Sequence, residues 1–316
     1  MSAPMIVGFD VGGTNARALL IDETTHQVVD RARASSAGAG PVVLSVLVEL
    51  VNQLASRNDV SVEAVGLGVA GLASRTGVVR YSPNLPDLVE YPLGTELSAA
   101  LDIPVIVTND ATTGAWAEAK VGAGKGAEDF AFVALGTGIG TGFVVGGRLV
   151  LGANGFAGET GHMVIDVEGD PHITGQRGPW EYFASGSALG RQGREAAAAG
   201  RFDAAIDLAG SVEAITGFHV ADALAAGDDD ASRVFTAFCR WVAVGCANLV
   251  MIFDPSRIVI GGGLSGIGRP LADGVAAWMP EVTLGSAHRP PVEIRMAELG
   301  DEAGALGAAL LALEEL

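Results

Sequence analysis

The chain has 316 residues with 19 basic and 37 acidic side chains, a formal net charge of −18. That balance argues against a broad nucleic-acid or anionic-membrane surface and leaves any bound phosphate to local donors or a metal. Two cysteines, seven residues apart in a helical pattern, exclude a disulfide framework; with no charged leader and no apolar run of about 18 residues, a soluble cytoplasmic protein is expected.

In chain order, residues 5–10, 16–21 and 27–31 read as three consecutive antiparallel strands with tight turns. A helix follows at 41–54, a buried strand at 62–69 and a short strand at 105–107. A helix is expected at 111–121. The order restarts at residue 130, with strands at 130–135, 143–145 and 148–151. An alanine-rich helical stretch covers 191–230, a long helix 231–252 and a strand 257–260. Helices at 264–278 and 303–313 close the chain. Two halves with the same βββαβαβα order predict a duplicated α/β unit with a ligand cleft between the halves.

Forty-five glycines are about twice average usage, and they stand beside apolar strands as turns. Two of these turns are rich in threonine. The first is Asp10-Val11-Gly12-Gly13-Thr14, followed by Asn15. The second runs over 135–142 and contains Gly136-Thr137-Gly138. A glycine turn between strands can aim several backbone N–H groups at one anion, so the pair predicts a polyphosphate.

Thr108-Asn109-Asp110 lies where a strand ends and a helix begins, the place where open α/β sheets bind ligands. Read alone, it is a helix cap. Beside two phosphate loops, Asp110 becomes a base that accepts a proton from an attacking hydroxyl. Gly158-Glu159-Thr160-Gly161-His162 and Glu181 offer acceptors and donors suited to sugar hydroxyls, though each can also be a plain turn or surface residue. Asn84, in a Pro–Asn turn, is a further polyol candidate. Gly261-Gly262-Gly263-Leu264-Ser265-Gly266 matches a dinucleotide fingerprint. It comes late and lacks the acid that should follow, so a helix start abutting a nucleotide is the better reading. The five histidines and two cysteines show no metal-ligand spacing.

Taken together, these residues resemble the ROK family of bacterial sugar kinases, within the actin/hexokinase-like (ribonuclease H-like) ATPase superfamily. The likeness spans nearly the whole chain. It implies a two-lobed α/β fold, with a small lobe of 1–112 plus 301–316 and a larger lobe of 113–300. It implies ATP with Mg²⁺ and a hexose as ligands, glucose first. Asp110 would be the general base for the 6-hydroxyl. Gly71, Asn84, Asn109, Glu159, His162 and Glu181 would bind the sugar. Asp10, Gly12, Gly13, Thr14, Asn15, Gly136, Thr137, Gly138, Gly261, Gly262 and Gly263 would hold the nucleotide, with Asp10 helping to place Mg²⁺ through water. Kinases for mannose, fructose, amino sugars or N-acetylated hexosamines, polyphosphate as donor, and a non-catalytic sugar sensor are the alternatives. Repressors of this family carry an N-terminal winged helix, and a first strand starting at Met5 leaves no room for one, so no nucleic-acid partner is expected. A homodimer is expected.

Two positions depart from the family pattern. Asn15 stands where lysine is common. The three cysteine positions of the family's zinc site hold His172, Thr174 and Pro179. No zinc is therefore predicted, and a replacement hydrogen bond is expected to orient His162.

Overall fold

The structure is a computed structural model that describes residues 4–314. Its strands are β1 (Met5–Val11), β2 (Asn15–Asp22), β3 (Val28–Ser35), β4 (Val62–Val69), β5 (Leu72–Ala73), β6 (Val79–Tyr81), β7 (Val105–Asn109), β8 (Phe130–Leu135), β9 (Ile139–Val145), β10 (Arg148–Leu149), β11 (Arg257–Gly261) and β12 (Glu293–Met296). Its α-helices are α1 (Gly40–Asn58), α2 (Leu93–Leu101), α3 (Asp110–Val121), α4 (Trp180–Ala184), α5 (Gly186–Ala198), α6 (Asp203–Ala209), α7 (Gly217–Ala225), α8 (Asp229–Phe253), α9 (Arg269–Val282) and α10 (Ala303–Glu314).

Two five-stranded sheets repeat one plan. The first has the order β3-β2-β1-β4-β7, the second β10-β9-β8-β11-β12. In the first, β1, β2 and β3 are antiparallel neighbours, while β4 and β7 run parallel to β1. The expected duplication is therefore present in the strand order. A ribbon of β5 and β6, helix α2 and strand β12 are additions that periodicity had not predicted.

The chain forms two compact units. One comprises 1–126, 142–158 and 301–316; the other comprises 127–141 and 159–300. The expected boundary after residue 112 falls inside α3. That helix stays whole in the first unit because it packs along α10. Residues 1–3 and 315–316 of the expected lobes lie outside the described residues.

In the first unit, β1 is buried on both faces. One face meets α1, whose Val43, Leu47, Leu50, Val51 and Leu54 form a buried stripe. The other meets α10, and here the contact is too close for side chains. A Cβ on Gly8 or Gly66 would run into the backbone carbonyls of Ala305 and Ala308, and one on Gly307 into that of Thr113. Small residues along α10 thus let helix, sheet and α3 meet backbone to backbone.

In the second unit, α8 is a core helix capped by Asp228 and ended by a left-handed Asp254 before Pro255. It is long and apolar enough to cross a membrane, but more than half of that stretch is buried inside the protein. Gly245 of α8 receives the ring of Trp180, which is fully buried and donates its Nε1–H to the carbonyl of Trp241 at 2.9 Å. This anchors α4.

Two expected boundaries move. The glycine loop expected over 135–142 is only Gly136–Gly138, because β9 begins at Ile139. Gly142 lies inside that strand, where a Cβ would come within 2.5 Å of Ala115 on α3. The helix expected at 264–278 splits into a 3-10 turn, Gly263–Ile267, and α9. Gly268 breaks it at φ +70°, and Pro270 starts the new helix.

Candidate active site in two halves

In the first unit, Asp10 sits near the end of β1 and Gly12–Asn15 turns the chain into β2. The Gly12 N–H donates to the Asn15 carbonyl at 3.0 Å, and Ser36 Oγ donates to the Gly12 carbonyl at 2.5 Å. A Cβ on Gly13 would come within 2.5 Å of the Asn84 carbonyl. Asn84, expected at the sugar, therefore lies beside the first glycine–threonine loop. Thr14 and Asn84 are exposed, as a ligand contact requires.

Arg33, which sequence reasoning missed, reaches this loop. Its Nε donates to Asn15 Oδ1 at 3.0 Å, and Asn15 Nδ2 donates to Thr14 Oγ1 at 2.8 Å. Arg33 on β3 thus brings a guanidinium to Asn15. The signal was the β2–β3 register, which pairs Asn15 with Ser35 and Arg17 with Arg33 on one face.

Asn109 is the N-cap of α3 and more. Its Oδ1 accepts the N–H groups of Ala111 and Thr112 at 2.9 and 3.1 Å, and its Nδ2 donates to the Gly71 carbonyl at 3.1 Å. Gly71 has φ +118°, a conformation suited to glycine. Asn109 and Gly71 thus form one brace at the carboxyl end of β7. Asp110 follows as the first residue of α3, half-buried, its Oδ1 accepting the Ala111 N–H at 2.8 Å. Burial raises its pKa above the usual carboxylate value, against the lowering effect of its hydrogen bonds. Asp10 is pushed up to about 6, first by burial and then by the charge of Asp110; Arg17 opposes this and Asp301 adds to it. Two carboxylates are thus close enough to repel each other where a divalent cation would relieve both.

In the second unit, Gly136–Gly138 makes a tight turn closed by the Gly136 N–H on the Gly138 carbonyl at 3.0 Å. The N-terminus of α5 abuts it, with the Gly186 N–H donating to the Gly136 carbonyl at 2.7 Å. Gly262, at φ +79°, lies where a Cβ would come within 2.7 Å of the Leu135 backbone. Gly262 and Gly263 therefore lie beside Leu135 and Gly136 at the start of the second glycine loop, while Gly261 faces Phe132 and Ala297.

Glu159 precedes a 3-10 turn, Thr160–His162, that is pinned to β9: Thr160 and Thr141 hydroxyls are 2.9 Å apart. His162 Nε2 is 4.0 Å from Glu159 Oε2. Its Nδ1 is buried with no hydrogen-bond partner among the described residues. Glu181 lies in the first turn of α4, set by the Trp180 anchor. Its Oε2 accepts the Ile139 N–H at 2.7 Å, and a Cβ on Gly138 would collide with that oxygen. Its Oε1 is 3.2 Å from His172 Nε2.

His162, His172 and Glu181 each place one donor atom within 4.8 Å of the others. The cysteine-rich, closed zinc site of the resemblance does not fit these residues. Three donors are one short of its tetrahedral set, and the cysteine positions hold His172, Thr174 and Pro179. Cys239 and Cys246 are buried in α8, where burial pushes both thiols up to about 12.

The ROK family model matches residues 6–315 of this chain. The glucokinase of Streptomyces coelicolor is 34% identical, over 98% of this chain and 98% of that protein. The bifunctional enzyme NanE/NanK of Brucella melitensis is 33% identical over 97% of this chain and 54% of that protein. Among solved structures, a ROK family glucokinase from Streptomyces griseus, in complex with glucose and AMPPNP, is 33% identical with a TM-score of 0.86. The match covers 98% of this chain and 99% of that one. With the duplicated fold, two glycine–threonine loops and the Asn109-Asp110 pair in place, the match across nearly the whole length means that the chain belongs to the ROK family.

Proposed function

We propose that this ATP-dependent sugar kinase transfers the γ-phosphoryl group of ATP to the 6-hydroxyl of a hexose, with glucose as the leading substrate and Asp110 as general base. The observation that carries the reading is the Asp110 carboxylate, half-buried at the β7–α3 junction beside Asp10. Burial raises its proton affinity, which suits a group that must take a proton from an alcohol. Asn109 and Gly71 fix the helix start that carries it.

In this reading, residues of both units bind the two substrates. Glu159, His162, Glu181 and Asn109 bind sugar hydroxyls and aim the 6-hydroxyl at Asp110. Gly12, Gly13, Thr14 and Asn15 supply phosphate donors, as do Gly136, Thr137 and Gly138. Gly261–Gly263 borders the nucleoside. Asp10 would help hold the Mg²⁺ that comes with ATP, and the ion would supply positive charge to the phosphates. As the sugar oxygen attacks phosphorus, Asp110 takes its proton and ADP leaves. Preorganised N–H donors absorb the charge that develops on the phosphoryl oxygens. A cytoplasmic homodimer without zinc completes the proposal.

A second reading is a kinase for mannose, fructose, an amino sugar or an N-acetylated hexosamine. The likeness to the NanE/NanK enzyme supports keeping it. An ADP-release assay over a sugar panel separates the two. Glucose is expected to give the highest kcat/KM. A different best sugar selects the second reading, and no ADP with any sugar refutes both.

A further inference from the structure

Glu181 is held from two sides. Ile139, the first residue after the Gly136–Gly138 loop, donates its N–H to Oε2 at 2.7 Å. His172 Nε2 lies 3.2 Å from Oε1, with the two side chains only 12% and 17% exposed. An ionised carboxylate only accepts, so Nε2 must carry the proton of that hydrogen bond. In the neutral ring, Nδ1 must then accept, and the Thr174 hydroxyl at 2.9 Å is placed to donate to it. The loop that presents His172 is itself closed: the His172 N–H donates to the Gln176 carbonyl at 2.7 Å, and the Gly178 N–H to the Asp170 carbonyl at 3.1 Å.

We infer that His172 is a positioning residue for sugar binding, locking Glu181 between its own imidazole and the end of the second phosphate loop. The inference rests on the kinase reading and deepens it. A carboxylate has about four lone-pair sites, and two are taken by these fixed donors. The remaining two point from an oriented group rather than a swinging one, which lowers the ordering cost when a sugar hydroxyl binds. The same carboxylate grips Ile139, so a sugar that pulls on Glu181 also pulls on the residue that ends the Gly136–Gly138 turn. His172 stands where the resembled family has a zinc-ligating cysteine, and here a hydrogen bond from its ring does the orienting. The expectation that a replacement bond would fix His162 is corrected in its object: the bond fixes Glu181, while His162 Nδ1 stays unpaired among the described residues.

The test uses the full-length enzyme and the best sugar of the panel. His172→Leu removes the donor; His172→Gln keeps an N–H close to the position of Nε2. Hydrogen bonds to charged groups correspond to about 10–100-fold in binding, so His172→Leu is expected to raise the sugar KM by about that factor. His172→Gln should recover most of it, and the ATP KM should stay within about threefold. A sugar KM unchanged in His172→Leu, or no recovery in His172→Gln, overturns the inference. Ring ¹⁵N NMR of the unsubstituted protein gives a readout that needs no variant to fold. A proton on Nε2 of His172 is expected, and a ring protonated at Nδ1 alone refutes the brace. So does about one zinc per chain, by elemental analysis of chelator-free protein, that disappears in His172→Leu. If no sugar is phosphorylated, the kinase reading fails by itself, and the tautomer still decides the brace.

Discussion

Replacing Asp10 with Asn separates the stability of the first unit from its use of charge. Burial and the neighbouring Asp110 carboxylate push Asp10 from 3.8 up to about 6. At about 1.4 kcal/mol per pH unit, ionised Asp10 costs the folded state roughly 3 kcal/mol above pH 7. The sign follows from a raised folded-state pKa: the stability Asp10 contributes is complete below about pH 4 and is lost as pH rises through about 6. Asn keeps the shape and never ionises; the shift to about 6 already includes the opposing attraction of Arg17, so the net gain at pH 8 is about 3 kcal/mol. For a chain of this size that is several degrees in Tm, at roughly 2–4 °C per kcal/mol. Scanning calorimetry of both proteins without nucleotide, from pH 4 to pH 8, is the assay. The two melting points should coincide near pH 4 and separate between pH 4 and 7, with Asp10→Asn higher. Activity should move the other way, with a higher Mg²⁺ requirement and about 10²-fold lower kcat/KM. A difference independent of pH, or a variant less stable at pH 8, would refute the electrostatic account of Asp10.

Asp110→Asn is expected to lower kcat about 10²–10⁴-fold while leaving sugar affinity by calorimetry nearly unchanged; normal turnover would remove Asp110 from the base role. Gly138→Ala puts a methyl group where Glu181 Oε2 lies, and should cut kcat/KM for the sugar at least about tenfold with little change in Tm. Gly245→Ala drives a methyl group into the Trp180 ring. It should destabilise the fold by about 1–3 kcal/mol and weaken sugar binding together, because Trp180 sets the turn that carries Glu181.

Much of this molecule was legible from local chemistry. Buried strands such as β1 and β4 are short apolar runs bounded by glycine, and α1 and α8 carry helical spacing with recognisable ends. The phosphate loops and Asn109-Asp110 could be found because each is contiguous. What escaped was cooperative or cross-strand. The β5–β6 ribbon and β12 are too short for periodicity to register, being two to four residues long. The Gly136–Gly138 loop looked longer because Gly140 and Gly142 also mark a strand that passes close to a helix. Arg33 finds Asn15 only through sheet register. His172 was visible as a substituted cysteine position, yet its bond to Glu181 needs the 170–178 segment to fold back on itself through three backbone hydrogen bonds.

The glycine-lined seat of α10 on β1 and β4 carries a consequence for how the protein is made. The sheet that presents Asp10 and Asp110 leaves the ribosome first, but the helix that covers one of its faces leaves last. Roughly 180 residues separate the end of α3 from the start of α10. At about 5–20 residues per second, that apolar face waits on the order of 10–30 s for its cover. The β1–β4 face therefore stays uncovered until residues 303–314 are made, and nascent chains halted before residue 301 should engage chaperones through it.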